Sequence, residues 1–278
     1  MYRFLLALVL LFPLLVRAEE PQNSREELSK LAWQKGPTQG AVAGKASVSV
    51  PRGYAFLDES NTRRFLELAG NPPSDGNYML APETLNWFAV FSFDETGYIK
   101  DDEKIDPDDL LKKLKESDAA QNQERKKLGL QAIYTDGWEV PPHYDPDTKR
   151  LEWGVRLHSD GNEVDVNYTS RILGRTGVMR AVLVSSPKTL AEDTKAFKAV
   201  LRDFKYSPGQ DYAEYRQGDK VAEYGLAALV LGGAAAVATK KGFWAILATS
   251  VAAFWKVLVG LGVAFTAAIR RFFSRKTP

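Results

Sequence analysis

The sequence predicts an α+β fold, an antiparallel sheet flanked by helices, with a C-terminal transmembrane helical anchor. Three observations point there. Two runs of alternating apolar residues flank Ser159-Asp160-Gly161-Asn162, as the arms of a β-hairpin do. Helix-start signals stand before and after that hairpin, at Asp106 and Thr189. From residue 221 to residue 269 run two apolar stretches separated by Lys240 and Lys241, more than a water-soluble enzyme has use for.

Residues 1–18 read as a signal peptide: Arg3 gives a basic start, residues 4–16 an apolar run, and Val16-Arg17-Ala18 an end suited to signal peptidase. Residues 19–219 are then a periplasmic α+β domain. Within it, Ser24-Arg25-Glu26-Glu27 makes a capping pattern, and Leu28, Leu31 and Trp33 complete a short amphipathic helix before Gly36. Residues 46–50 alternate up to Pro51, an edge-strand pattern. Residues 58–69 form a brief helix closed by Gly70 and the breaker Asn71-Pro72-Pro73. Residues 87–93 are almost continuously apolar and aromatic over too short a length for a helix, so they are predicted to be a central strand.

Asp106-Pro107-Asp108-Asp109 starts the next helix with a carboxylate cap, a proline in the first turn and two acids against the dipole. It carries Leu110, Leu111 and Leu114 inward and runs to about Lys127, ending at Gly129. The acids Asp101, Asp102 and Glu103 just before it read as a solvated cap, because their spacing matches no calcium-binding loop. Pairing outward from Asp160-Gly161 sets Leu157 opposite Val164, Val155 opposite Val166 and Trp153 opposite Tyr168 on one face. His158 then meets Glu163, and Arg156 meets Asp165, on the other. A strand over residues 178–185 follows the turn Gly174-Arg175-Thr176-Gly177. Thr189-Leu190-Ala191-Glu192 then caps a helix whose Leu190, Phe197, Leu201 and Phe204 make one stripe.

Residues 220–241 form a small-residue-rich apolar helix, a possible second span, with Ala228, Gly232 and Ala236 spaced for close helix approach. Residues 242–269 are the transmembrane helix. Its stretch 243–269 reaches about 40 Å against a hydrocarbon core of about 30 Å, with Lys256 near its middle. Residues 270–278 are a basic cytoplasmic tail. A single crossing leaves Arg270, Arg271, Arg275 and Lys276 in the cytoplasm, whereas a two-span hairpin leaves only Lys240 and Lys241 there. Positive-inside bias favours the single crossing, and the paired hairpin stays as the alternative. The expected address is a bacterial inner membrane with the main domain periplasmic, and the lipid bilayer is the first partner.

Charge divides the chain. Residues 19–219 hold 27 basic against 34 acidic side chains, while residues 220–278 hold 8 against 1. An acidic domain is a poor binder of polyanions, so no nucleic acid partner is expected. With no cysteine, disulfides, thiolate metal sites and a cysteine nucleophile are excluded.

Only His143 and His158 offer imidazoles. His158 has a structural partner in Glu163. His143 sits in the Pro-rich, aromatic connection from Gly137 to Asp145, where Trp138, Glu139, Tyr144 and Asp145 join it as ligand-contact candidates, since such loops often carry sites. His143 with Glu139 or Asp145 lacks a second nitrogen ligand, so no metal site and no cofactor are expected. Arg171, Arg175 and Arg180 around the Gly174 turn are candidates for an anion pocket. There is no nucleophile elbow, phosphate loop or dinucleotide fingerprint, and no serine has a credible base.

Trp87-Phe88-Ala89-Val90-Phe91, Gly97-Tyr98-Ile99-Lys100-Asp101-Asp102-Glu103, Gly137-Trp138 with Pro142-His143-Tyr144-Asp145, Leu151-Glu152-Trp153, Asn167-Tyr168, Arg171 with Leu173-Gly174-Arg175, and Ala222-Glu223-Tyr224-Gly225-Leu226-Ala227-Ala228-Leu229 closely resemble a bacterial family of predicted membrane-anchored proteins of unknown function. The likeness covers nearly the whole chain after the signal. It implies an envelope address and an anchor, and carries over no catalytic residue. The order of strands and the closing Phe-x-x-x-Leu-x-x-Phe helix also resemble, at the level of fold, the PsbP-like α+β sandwich. The expected function is a non-enzymatic envelope module whose periplasmic domain binds a protein, cell-wall or lipid partner. The alternative is a membrane-tethered hydrolase using His143 with Glu139 or Asp145.

Overall fold

In the computed structural model, residues 27–232 are described, apart from residues 70, 72 and 160–163. The predicted signal peptide, the Ser24 cap, Gly70, the Asp160-Gly161 turn, the 242–269 span and the basic tail lie outside the described residues. Eight strands form one antiparallel sheet: β1 (Gln34–Lys35), β4 (Tyr54–Leu57), β5 (Tyr78–Pro82), β6 (Phe88–Asp94), β7 (Ile133–Asp145), β8 (Arg150–Ser159), β9 (Val164–Leu173) and β10 (Val178–Ser185), in the order β1-β4-β5-β6-β10-β9-β8-β7. A smaller sheet holds β2 (Thr38–Val42), β3 (Ala46–Val50) and β11 (Lys205–Tyr206) in the order β11-β3-β2. The helices are α1 (Glu59–Leu68), α2 (Pro107–Lys127), α3 (Leu190–Arg202) and the short α4 (Leu226–Val230).

Both faces of the large sheet are covered. Alternate residues of each strand point to opposite sides, which builds separate cores. On one face Phe91, Val166, Tyr168, Ile172, Met179, Ala181 and Leu183 meet Val48 and Val50 of the small sheet and Phe197 and Leu201 of α3. On the other face, Met79, Phe88, Val90 and Val184 pack under Phe65 and Leu66 of α1, with Leu28, Leu31 and Trp33 against them. Further along that second face, Leu151, Trp153, Leu173 and Val178 pack with Ile99, Leu110, Tyr212, Leu226, Leu229 and Val230. The start of the small-residue segment after 220 is thus part of this core, and the compact unit it belongs to runs to Gly233. No helix among the described residues is long and apolar enough to cross a membrane.

The caps follow from local chemistry. Asp58 accepts from the backbone of Asn61 to start α1, and Asp106 accepts from Asp108 and Asp109 to start α2. Thr189 makes no such cap; its hydroxyl donates instead to Asp193, a carboxylate in the first turn of α3. Residues 27–29, the described part of the predicted first helix, are helical and lead through a turn to β1. β3 is the middle of its sheet and not an edge, because β2 and β11 pair along both sides of it. Pro51 ends that strand without interrupting its ladder.

Two expectations need larger corrections. The hairpin register is shifted by one: Leu157 faces Asp165, His158 faces Val164 and Trp153 faces Thr169. The expected register assumed one apolar and one solvated face, but with both faces buried β8 sends Leu151, Trp153 and Val155 to one core while β9 sends Val166 and Tyr168 to the other. Glu163, the expected partner of His158, lies outside the described residues, and His158 stands opposite Val164. The imidazole stacks on Tyr134 at 5.1 Å, and its Nδ1 lies 2.6 Å from Asp136 Oδ1, both on β7. The second correction is that the connection carrying Trp138 to Asp145 is no loop. It is the edge strand β7, whose ladder to β8 shifts register three times. Consecutive N–H groups of a strand point to opposite sides, so only one of Pro141 and Pro142 sits where an edge strand needs no donor; the register shift between Val140 and His143 takes both out of the ladder to β8. Its outer edge near Ile133 is served by α2: Asn122 bonds the N–H and the carbonyl of Ile133 at 2.8 Å each, and Asp118 accepts from Thr135 N at 2.8 Å.

Candidate functional site

Because β7 is a strand, its candidate residues separate onto different surfaces. Trp138 and Tyr144 go to the face under α2. The Trp138 indole donates to Pro107 O at 2.9 Å, and the Tyr144 hydroxyl donates to Asp101 at 2.8 Å. Burial, then the Asp101 charge, pushes the Tyr144 hydroxyl pKa far above its ordinary value. Glu139 is held by Arg156, whose Nε lies 3.1 Å away. Asp145 folds its own turn, accepting from the Thr148 hydroxyl at 2.7 Å and Asp147 N at 2.9 Å, and these bonds hold its carboxyl below the usual range.

His143 is the member of this group that faces open space. It stands cross-strand from Glu152, with Nε2 3.7 Å from Glu152 Oε2 and its side chain half exposed. Its neighbouring carboxylate is Glu152, while Glu139 and Asp145 are engaged as described.

Glu152 is the centre of a network that the sequence did not announce. Its carboxylate is buried and accepts from the Tyr168 hydroxyl at 2.9 Å and from Lys198 Nζ at 2.9 Å. Burial alone would raise its pKa, but the bonds from Lys198 and Tyr168 hold it below the usual range, so it stays ionised. Burial pushes the Tyr168 hydroxyl up to about 12, and Lys198 lies 5.4 Å over its ring. A glutamate amid the apolar residues of a strand was the one available signal; its partners come from β9 and α3, which no local pattern connects to it.

This network floors a cleft of about 640 Å³ between the β7–β8 turn and α3. Arg150, Lys195, Lys198 and Arg202 supply four cations, against Glu152 and Asp145. Lys195, Lys198 and Arg202 share one helical stripe, where like charges three and four residues apart destabilise the helix, and Glu152 offsets one of them. Two buried polar atoms on the lining, Arg150 Nε and Thr194 Oγ1, have no hydrogen-bond partner among the described residues. Such atoms cost free energy unless something pairs with them. The arrangement suits an anionic group that accepts several hydrogen bonds. No group of three or more histidine or acidic side chains with metal-binding spacing occurs among the described residues.

The arginines around the Gly174 turn also separate. Arg175 makes a two-pronged bond to Asp219, at 2.7 and 2.8 Å, and is spent on structure. Arg171 is buried on the sheet face opposite the cleft and bonds Asp94 at 2.5 Å. The Arg175 fork, helped by Arg216 N, draws the Asp219 carboxyl down to about 2. Its contribution to stability is therefore fully present above the ordinary aspartate value of 3.8 and is lost as pH falls toward 2. Urea unfolding should show wild type more stable than Asp219→Asn at about pH 6, with the gap closing by about pH 2. A gap that does not change with pH would remove the pair from the account.

Fold and cleft define an α+β sandwich protein with a cationic surface cleft and a buried Glu-Lys-Tyr network. The chain belongs to the family described as protein of unknown function, DUF2167, which matches residues 34–265. No curated protein matches it. Among solved structures it is similar to the solution structure of cyanobacterial PsbP from Synechocystis sp. PCC 6803, at 11% identity and a TM-score of 0.37, over 61% of this chain and 92% of that one.

Proposed function

We propose that this is a membrane-anchored envelope protein, not an enzyme, whose exported domain binds an acidic group of a protein, cell-wall or lipid partner in the α3–β8 cleft. The observation that carries this reading is the cleft itself, with four cations facing two carboxylates and two buried polar atoms left unpaired on its lining. The leader-like residues 1–18 and the apolar stretch 242–269 support the address.

The reading is tested on the full-length protein, held in detergent, by co-sedimentation with purified cell-wall sacculi and by retention on beads coated with an anionic lipid headgroup, in low and in high salt. One of the two should retain the wild type in low salt and lose it in high salt. The double charge reversal Lys195→Glu with Arg202→Glu should weaken that binding at least about tenfold, since each exposed cation contributes on the order of 1 kcal/mol. If the reversed protein melts like wild type and still binds equally, the cleft is not the site.

A second reading rests on His143 beside Glu152, a base and a carboxylate 3.7 Å apart that could activate water for hydrolysis. Turnover of an ester, amide or glycoside by the purified protein, abolished by His143→Ala without loss of melting temperature, would put the hydrolase in place of the binding module.

A further inference from the structure

The sheet face away from the cleft carries a second concentration of positive charge. Arg171 of β9 and Arg180 of β10 are direct cross-strand partners, and Ser92 of β6 is the partner of Arg180 on its other side. Strand alternation puts these three on the same face as Asp94, between the apolar cluster around Val90 and the one around Leu173 and Val178. Two guanidiniums therefore share this stretch of the sheet interior with one carboxylate.

That carboxylate belongs to Arg171. Asp94 bonds its Nη1 at 2.5 Å, and the Arg171 side chain is only 5% exposed. Its Nε is buried with no acceptor among the described residues. Arg180 is half-buried; its Nε donates to Ser92 Oγ at 2.9 Å, and no carboxylate of the described residues makes an ion pair with it. Like charges directly opposite on one sheet face destabilise a strand pair. Burial, and then the charge of Arg171, pull the Arg180 guanidinium down to about 10, against a smaller opposing pull from Asp94. A further anion within reach of both guanidiniums would offset this repulsion.

We infer that Arg171 and Arg180 form a carboxylate-binding site, with the free fork of Arg180 taking the group end-on and Arg171 Nε and the Ser92 hydroxyl completing its hydrogen bonds. The class follows from charge. With Asp94 already offsetting Arg171, one positive charge remains, which a monoanionic carboxylate matches. A phosphate dianion would bring a second negative charge against Asp94. The site lies on the other sheet face from the α3–β8 cleft and does not depend on the function proposed for that cleft.

The test is NMR of the arginine Nε–Hε groups of the full-length protein, titrated with acetate and, separately, with inorganic phosphate. Acetate should shift the Arg171 and Arg180 signals saturably in the millimolar range. Arg180→Gln should weaken this at least about tenfold, and Arg52→Gln, at an exposed position on the turn between β3 and β4, should leave it unchanged. Arg180→Lys keeps the charge but loses the fork; it serves should the glutamine variant fail to fold, and it too should bind acetate more weakly. Absence of a saturable shift, or equal affinity in the Arg180 variants, overturns the site. Tighter binding of phosphate than of acetate overturns the carboxylate assignment.

Discussion

Replacing Phe197 with alanine is expected to destabilise the domain by about 3 to 5 kcal/mol, the range for emptying an aromatic position in a closed core. Phe197 is fully buried on α3 and packs against Phe91 at 6.5 Å and Tyr168 at 6.4 Å between ring centroids. It therefore fixes the helix over β6 and β9 at once. In thermal unfolding followed by circular dichroism, Tm should fall by about 10 °C or more for a domain of this size. The same variant should also loosen Lys198, its neighbour on α3, from Glu152. A loss below about 1 kcal/mol would mean that α3 does not close the core over this face.

Gly177→Ala is expected to cost about 3 kcal/mol, at the upper end for an overpacked site. A Cβ at this glycine would lie 2.1 Å from the Asp94 carbonyl oxygen and 2.8 Å from the Phe93 ring. The first of these is backbone, so no side-chain rotation relieves it. Either β10 or the end of β6 must move, and Asp94 would carry its carboxylate away from Arg171. Gly137→Ala is the control, since nothing lies within 4 Å of a Cβ there, and it should stay within about 0.5 kcal/mol of wild type. Equal urea midpoints for the two variants would contradict the close approach of β6 and β10 at this point.

How far the fold can be read in advance depends on whether local signals and tertiary context agree. β10 spans 178–185 and β3 spans 46–50, as their patterns predict, and α1 and α2 start at the aspartates whose side chains cap them. The hairpin was legible as two paired strands, but not in register. Alternation shows that one side of a strand is apolar without showing which core that side meets, and Trp153 and Tyr168, expected opposite one another, turn out to serve different cores. β7 is hidden because a proline pair ordinarily breaks a strand, and it takes both a place at the sheet edge and a register shift at the prolines to permit one.

The candidate site was legible in pieces. His143 was visible as an imidazole in an unusual segment, but its carboxylate neighbour Glu152 looked like one polar residue in an apolar strand. Lys198 stands beside Phe197 on α3, and it is tertiary folding that brings its ammonium to Glu152. The arginines around Gly174 were flagged together, yet alternation sends Arg171 and Arg180 inward side by side while Arg175 turns to Asp219. Charge counted along the chain does not show which charges will share a surface.

The way β7 is finished limits how this domain can meet other chains. Near Ile133 and Thr135 the groups that a visiting strand would use are already taken by Asn122 and Asp118, and further along Pro141 and Pro142 have no N–H to offer. A partner, or a second copy, therefore cannot extend the sheet by zipping main chain to main chain along this border. Recognition there must proceed through side chains, which can be exchanged one at a time without altering the scaffold, and the long outer strand gains protection from the edge-to-edge stacking that leads to fibres.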